Sequence, residues 1–294
     1  MRTLASFSEE ASAWLLEPGL YGLWLGASLD NSVLMAALAQ QALFTVERVH
    51  PICPQQEPFE RLTCAPEALQ RFEEDWHARL RETGCPVLTL RPVTAPVPAP
   101  QPCPAAERAR AIVRTLTDTE LAALCVGNVA KGQGNAIGSA GVAVPGMGAT
   151  IKHFACNNQE DNRMGSDSIV GERALRELYL RGFEIAVKTA QPRCIMTSYN
   201  KLNGVHTANS ADLCTRLARE EWGFAGIFMT DWTTTSNGSS AWRCVAAGND
   251  LIMPGVDGDT AGILAALQDG RLSRAALTAC AERMLQAILQ SAAG

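Results

Sequence analysis

Asp231 closes the apolar run Gly226-Ile227-Phe228-Met229 and is followed by Trp232. A carboxylate at the exit of a buried strand can act as a nucleophile or base held on a rigid element. It can equally cap the next segment, because Thr233, Thr234, Thr235 and Ser236 read as loop or cap residues. Lys152 and His153 end another apolar run, Ala149-Thr150-Ile151. On a continuing strand these neighbours point to opposite sides. An isolated histidine there suits a core, whereas one beside a lysine, on the same sheet edge as Asp231, suits recognition of hydroxyl groups. The loop Asn157 to Arg163 supplies amide and guanidinium donors for a ligand rich in directional hydrogen bonds, while Asp161 and Asn162 read as plain polar surface. Tyr199 either packs at a sheet edge or donates its phenol to a neighbouring carboxylate, which keeps that carboxylate ionised.

These residues need a frame that brings them together. Short apolar runs at Ala149-Thr150-Ile151, Cys194-Ile195-Met196, Gly226 to Met229 and Leu251-Ile252-Met253 alternate with helical stretches at Glu172 to Lys188, Ala211 to Glu221 and Ser273 to Gln290. Strands alternating with helices at intervals of about 24 to 45 residues imply βα units and a parallel sheet. Lys152, His153, Tyr199 and Asp231 then all fall at or just past strand C-termini, the edge where parallel α/β folds place ligand sites. A further helical run through Leu116, Leu121 and Leu124 has Thr117 or Asp118 as its N-cap.

The rest of the chain narrows the choice of function. The net charge of -5, from 25 basic and 30 acidic residues, offers no stripe for a phosphate backbone, so nucleic acid is not expected as a partner. No apolar run reaches the length of a membrane span and no signal-type segment opens the chain, so no membrane partner and a cytoplasmic location are expected. The ten cysteines include no C-x-x-C pair and read as small apolar residues. Gly132-Gln133-Gly134-Asn135-Ala136-Ile137-Gly138 has neither phosphate-loop spacing, and no metal-ligand spacing occurs, so no cofactor is expected.

Three textures divide the 294 residues. Residues 1 to 53 carry strand signals at Leu20 to Gly26 and Leu43 to Val49, enough for a small β fragment. Residues 54 to 104 hold one short helical pattern, Pro66 to Arg81, then Pro92, Pro96, Pro98, Pro100, Pro102 and Pro104, which read as a linker or a strap on another surface. Residues 105 to 294 carry the α/β pattern and the candidate site.

The series Ile151-Lys152-His153-Phe154-Ala155-Cys156-Asn157-Asn158-Gln159-Glu160, Arg163, Ser198-Tyr199 and Thr230-Asp231-Trp232 resembles the barrel domain of family 3 glycoside hydrolases. The continuation Asn157 to Glu160, with Ala247 to Gly255 and Leu272-Ser273-Arg274, is similar to the β-glucosidase branch. The resemblance implies retaining hydrolysis of terminal β-D-glucosyl residues: Asp231 attacks the anomeric carbon, and a second carboxyl about 5 Å away protonates the leaving oxygen and later activates water. It also implies that Lys152, His153 and Arg163 hold ring hydroxyls, that Met196 and Trp232 wall the pocket, and that Tyr199 orients the nucleophile. The substrate expected is a small β-glucoside or oligosaccharide.

The chain departs from the β-glucosidase pattern in two places, the acid/base domain and the first half of the barrel. The loop after Lys152-His153 has no histidine, unlike the hexosaminidase branch, and the separate α/β domain that carries the acid/base glutamate of the β-glucosidase branch has no counterpart. Ala13 to Tyr21 with Pro51 to Pro54 resembles the closing strands of a fibronectin-type domain, as in members with inverted domain order. Glu120 to Gly146 resembles the opening of the barrel, yet the Lys152-His153 strand follows at once, without the family's early aspartate and mid-barrel arginine. About 180 residues after Thr115, against about 250 for a full (β/α)8 barrel, imply about the second half of a TIM-type barrel with four or five parallel strands. The expected chain is truncated and internally deleted, impaired as a hydrolase on its own, and self-associating through exposed barrel edges. The alternative is a non-catalytic carbohydrate-binding remnant or inactive product.

Overall fold

The computed structural model describes residues 2–28, 30–56, 63–91, 104–127 and 148–291. They form an α/β structure with parallel and antiparallel sheets, divided into two compact units. The first takes in Met1–His50 and Glu57–Pro98, the second Pro51–Gln56 and Ala99–Gly294.

In the first unit β1 (Ser6–Ser8), β2 (Ala13–Leu16), β3 (Gly19–Gly26), β4 (Ser32–Gln40) and β5 (Phe44–Arg48) precede α1 (Pro66–Thr83) and β6 (Val87–Thr89). One antiparallel sheet has the order β1-β2-β5, and Phe7 and Trp14, opposite each other in it, are buried with ring centroids 5.4 Å apart. The other has the order β3-β4-β6: β3 and β4 form an antiparallel hairpin, and β6 joins β4 in parallel. Proline in the first turn and Gly84 at φ 58° past the last bound α1, matching the asymmetry of helix ends. This unit holds more strand than the sequence suggested. The run Ala36-Ala37-Leu38-Ala39 has weak strand propensity and becomes β4 through its neighbours on both edges. That pairing also draws β6, from within the stretch read as a linker, into the sheet. Pro92, Pro96, Pro98, Pro100 and Pro102 lie outside the described residues, while Pro104 opens a helix.

The second unit contains α2 (Pro104–Val113), α3 (Asp118–Cys125), β7 (Thr150–Phe154), β8 (Asp167–Ser168), α4 (Glu172–Ala174), α5 (Arg181–Ala190), β9 (Cys194–Thr197), β10 (Lys201–Leu202), β11 (Val205–His206), β12 (Ile227–Met229), α6 (Ala241–Ala247), α7 (Asp259–Gln268) and α8 (Arg274–Ser291). β7, β9 and β12 are adjacent and parallel, with Ile151 beside Ile195 and Phe228 beside Ile195. The bridges Met229–Leu251 and Val126–Ile252, both parallel, carry the arc further. Leu251-Ile252-Met253 thus contributes bridges rather than a full strand. Among the described residues the arc does not close into a barrel, and the glycine-rich residues 128–147 lie outside them.

All of β9 is buried, as expected of a parallel strand covered on both faces. Phe154 meets Phe183, Trp222 and Phe228 at centroid distances of 4.9, 6.1 and 5.8 Å, which packs α5 and the helix after β11 against the sheet. Each fully buried phenylalanine contributes about 1.5–3 kcal/mol. Two helices read as continuous in the sequence widen into π-helical turns, Leu175–Tyr179 and Asp212–Glu221, with Leu180 N bonded to Leu175 O at 2.9 Å and Trp222 N to Leu217 O at 3.0 Å. They are tied by Arg176, which donates to Glu172 and to both oxygens of Glu221 at 2.9 Å. At the start of α3, Thr117 and Glu120 form a reciprocal capping box. No helix among the described residues is long and apolar enough to cross a membrane.

Candidate active site

Three neighbouring strands present their C-terminal ends on one edge of the sheet. Asp231 lies two residues past β12, Tyr199 two past β9, and Lys152 and His153 on the last turn of the pleat of β7. The chain beyond β12 is fixed by Thr230 and Thr233. Met253 N donates to Thr230 Oγ1 at 2.9 Å, and Thr233 N to Met253 O at 2.9 Å. Thr234 Oγ1 adds a bond to Asp231 O at 2.8 Å.

Asp231 is 8% exposed. Its Oδ1 accepts from the adjacent Trp232 N at 2.7 Å, and its Oδ2 lies 3.3 Å from His153 Nε2; the N-cap of the turn that follows is Thr233, so Asp231 does not take the capping role. One oxygen is therefore engaged by the backbone and the other faces a site residue. The pairing of β7 with β9 shifts register between Ile151 and Phe154, an irregularity that re-aims side chains at a strand end. His153 turns to Asp231 there, and Lys152 remains exposed, with no hydrogen bond or ion pair among the described residues.

Tyr199 is buried, and its hydroxyl donates to Trp232 O at 2.9 Å. Burial, then the nearby Asp231 charge, pushes the phenol up to about 12. The Arg163 guanidinium carbon stands 4.9 Å over the Tyr199 ring, while its Nη1 donates to Glu160 Oε2 at 2.6 Å. Met196, 7% exposed, lies in register with Met229, and Trp232 packs beside Leu251, Met253 and Met284. Asp161 and Asn162 are exposed.

Several residues that hold this arrangement were given no role by the sequence. Ser198 Oγ donates to Ala155 O at 3.0 Å, Thr207 Oγ1 to Ser198 O at 2.6 Å, and Asn200 Nδ2 to Ser168 Oγ at 3.1 Å. They brace the exits of β7 and β9 against each other. His206 Nδ1 lies 3.1 Å from Tyr199 O, and burial lowers the pKa of that imidazole. The polar triplet Ser198-Tyr199-Asn200 directly after an apolar strand was the available signal for two of them. Among the described residues no three of His, Cys, Asp and Glu converge as a metal site would require.

The chain matches the pattern of the glycosyl hydrolase family 3 N terminal domain over residues 107–287. It is 45% identical over 155 residues to a beta-glucosidase of Ruminococcus albus, which takes in 50% of this chain and 16% of that protein. It is 43% identical over 148 residues to an exo-alpha-(1->6)-L-arabinopyranosidase of Bifidobacterium breve, 50% of this chain and 19% of that one. A beta-glucosidase from Paenibacillus barengoltzii has a similar fold, with a TM-score of 0.69 at 22% identity over 98% of this chain and 47% of that one. The matched stretches span less than a fifth of these curated relatives' own length. With the family pattern running from within α2 to within α8 and enclosing all three strand exits of the site, the chain belongs to glycosyl hydrolase family 3.

Proposed function

We propose that this chain serves the hydrolysis of terminal β-D-glucosyl residues with retention, Asp231 being the nucleophile. The observation that carries this reading is Asp231 itself: a nearly buried carboxylate at a strand exit, one oxygen held by the backbone, the other 3.3 Å from His153 Nε2. Asp231 attacks the anomeric carbon, the glycosidic bond breaks, and water later releases the sugar from the covalent intermediate. His153, Lys152 and Arg163 hold hydroxyls of the ring, Met196 and Trp232 wall it, and Tyr199 fixes the position of the nucleophile. The acid/base carboxyl comes from outside this group of residues, so that the chain alone is impaired toward substrates whose leaving group must be protonated.

The parallel arc fits about half of a (β/α)8 barrel. Its ends are Val126 and β7, which among the described residues lack an outer neighbour. Such edges favour self-association, which light scattering would report as a dimer or larger species.

A dinitrophenyl β-glucoside tests the catalytic reading, because its leaving group departs without a proton. The purified chain should turn it over faster than an unactivated alkyl β-glucoside, and Asp231→Asn should abolish that turnover. Glucose binding by calorimetry with no Asp231-dependent turnover would instead make the chain a carbohydrate-binding remnant.

A further inference from the structure

Arg163 is held from its own loop. Glu160 Oε2 accepts from Arg163 Nη1 at 2.6 Å, and Glu160 Oε1 accepts from Asn157 Nδ2 at 3.2 Å. Arg163 N also bonds to Glu160 O at 3.3 Å, and the turn continues with Gly165 N and Ser166 N donating to Asn162 O at 2.9 Å. A carboxylate thus joins the start of the loop, just past β7, to the arginine at its far end. A surface arginine otherwise samples many rotamers, which the planar guanidinium gives up when both a carboxylate and a ring face fix it. Here the ring is Tyr199, 4.9 Å below, whose hydroxyl bonds to the Trp232 carbonyl next to Asp231.

We propose that Glu160 is a positioning residue: it sets the Arg163 guanidinium over Tyr199 and so fixes the cationic side of the pocket facing Asp231. The role rests on the catalytic reading above. It makes no contact with the sugar necessary for Glu160, whose side chain is 63% exposed, and it assigns the carboxylate no proton transfer.

The test is covalent trapping with 2,4-dinitrophenyl 2-deoxy-2-fluoro-β-D-glucoside, followed by intact-mass and peptide analysis. A bond forms between an Asp231 carboxylate oxygen and the anomeric carbon, and the bond to dinitrophenolate breaks with its electron pair leaving on the phenolate oxygen. Glu160→Gln should slow labelling by about fivefold, the scale of an exposed charge pair. The loss should appear in the half-saturating reagent concentration more than in the limiting rate, since binding of hydroxyls is what Arg163 supplies. Arg163→Met should lose at least as much, and Glu160→Gln should add nothing to it, because the glutamate acts only through the arginine. Labelling of Glu160→Gln at the wild-type rate, or a full additional loss in the double variant, overturns the positioning role. Wild-type chain that takes no label at Asp231 removes the catalytic reading and this role with it.

Discussion

Arg283 Nε donates to Asp250 Oδ1 at 2.7 Å, although Asp250 has no exposed surface. The other oxygen accepts from Phe228 N at 2.8 Å and from Arg219. One carboxylate therefore joins α8, the wide helix Asp212–Glu221 and β12, the strand that leads to Asp231. The site inherits its position from this junction.

Asp250→Asn should destabilise the chain by about 3–5 kcal/mol, because it leaves two largely buried guanidinium groups without their counter-charge. Urea unfolding of the variant checks this. A change below about 1 kcal/mol would place the junction among the weak surface pairs.

The Tyr199 phenol, pushed up to about 12 by burial and by Asp231, stays protonated and able to donate throughout the ordinary pH range. The pH profile of Asp231 trapping should show no tyrosine limb between about pH 6 and pH 10. Tyr199→Phe removes one hydrogen bond worth about 1 kcal/mol and should slow trapping roughly fivefold without lowering thermal stability by more than a few degrees.

Burial pushes the thiols of Cys53, Cys156, Cys194, Cys244 and Cys280 up to about 12 and those of Cys125 and Cys214 well above the usual range. Thiolate is the reactive form. In native protein at pH 8, an alkylating reagent should therefore modify the exposed Cys64 and the half-buried Cys85 first. Among the described residues, the seven buried thiols should react only after denaturation, and peptide mass mapping distinguishes them from Cys64 and Cys85.

Thr117→Ala should cost about 1 kcal/mol by removing the N-cap of α3. The partner carboxyl, Glu120, is held below its usual value by the Thr117 backbone N–H and then by the hydroxyl. Its contribution to stability is thus present above the unfolded carboxylate pKa and is lost as pH falls through the lower folded value. Thermal melts of wild type and Thr117→Ala should differ most at neutral pH, and the difference should narrow without vanishing at strongly acid pH, because the bond from Glu120 N to the Thr117 hydroxyl does not titrate.

The sequence was legible where the information is local. The alternation of apolar runs and amphipathic stretches marked β7, β9, β12 and α8, and of the two caps read from residue type, Thr117 and Asp118, Thr117 is the one used. It was less legible where neighbours decide. β4 and β6 owe their strand conformation to pairing across the sheet, and Leu175–Tyr179 and Asp212–Glu221 carry helical periodicity that does not reveal the wider π turn. The bridge at Leu251 and Ile252 looked like a strand because burial alone produces an apolar run.

The residues that gather at the site were set by the sequence: with parallel strands, every strand exit lies on the same edge, so Lys152, His153, Tyr199 and Asp231 had to share it. Only the tertiary structure decided which side chains meet. That His153 rather than Lys152 reaches Asp231, that Arg163 lies over Tyr199 with Glu160 behind it, and that Asp250 carries two arginines all follow from strand register and helix packing. Apart from the local Glu160–Arg163 pair, those are contacts between residues distant in the chain, and periodicity along the chain does not encode them.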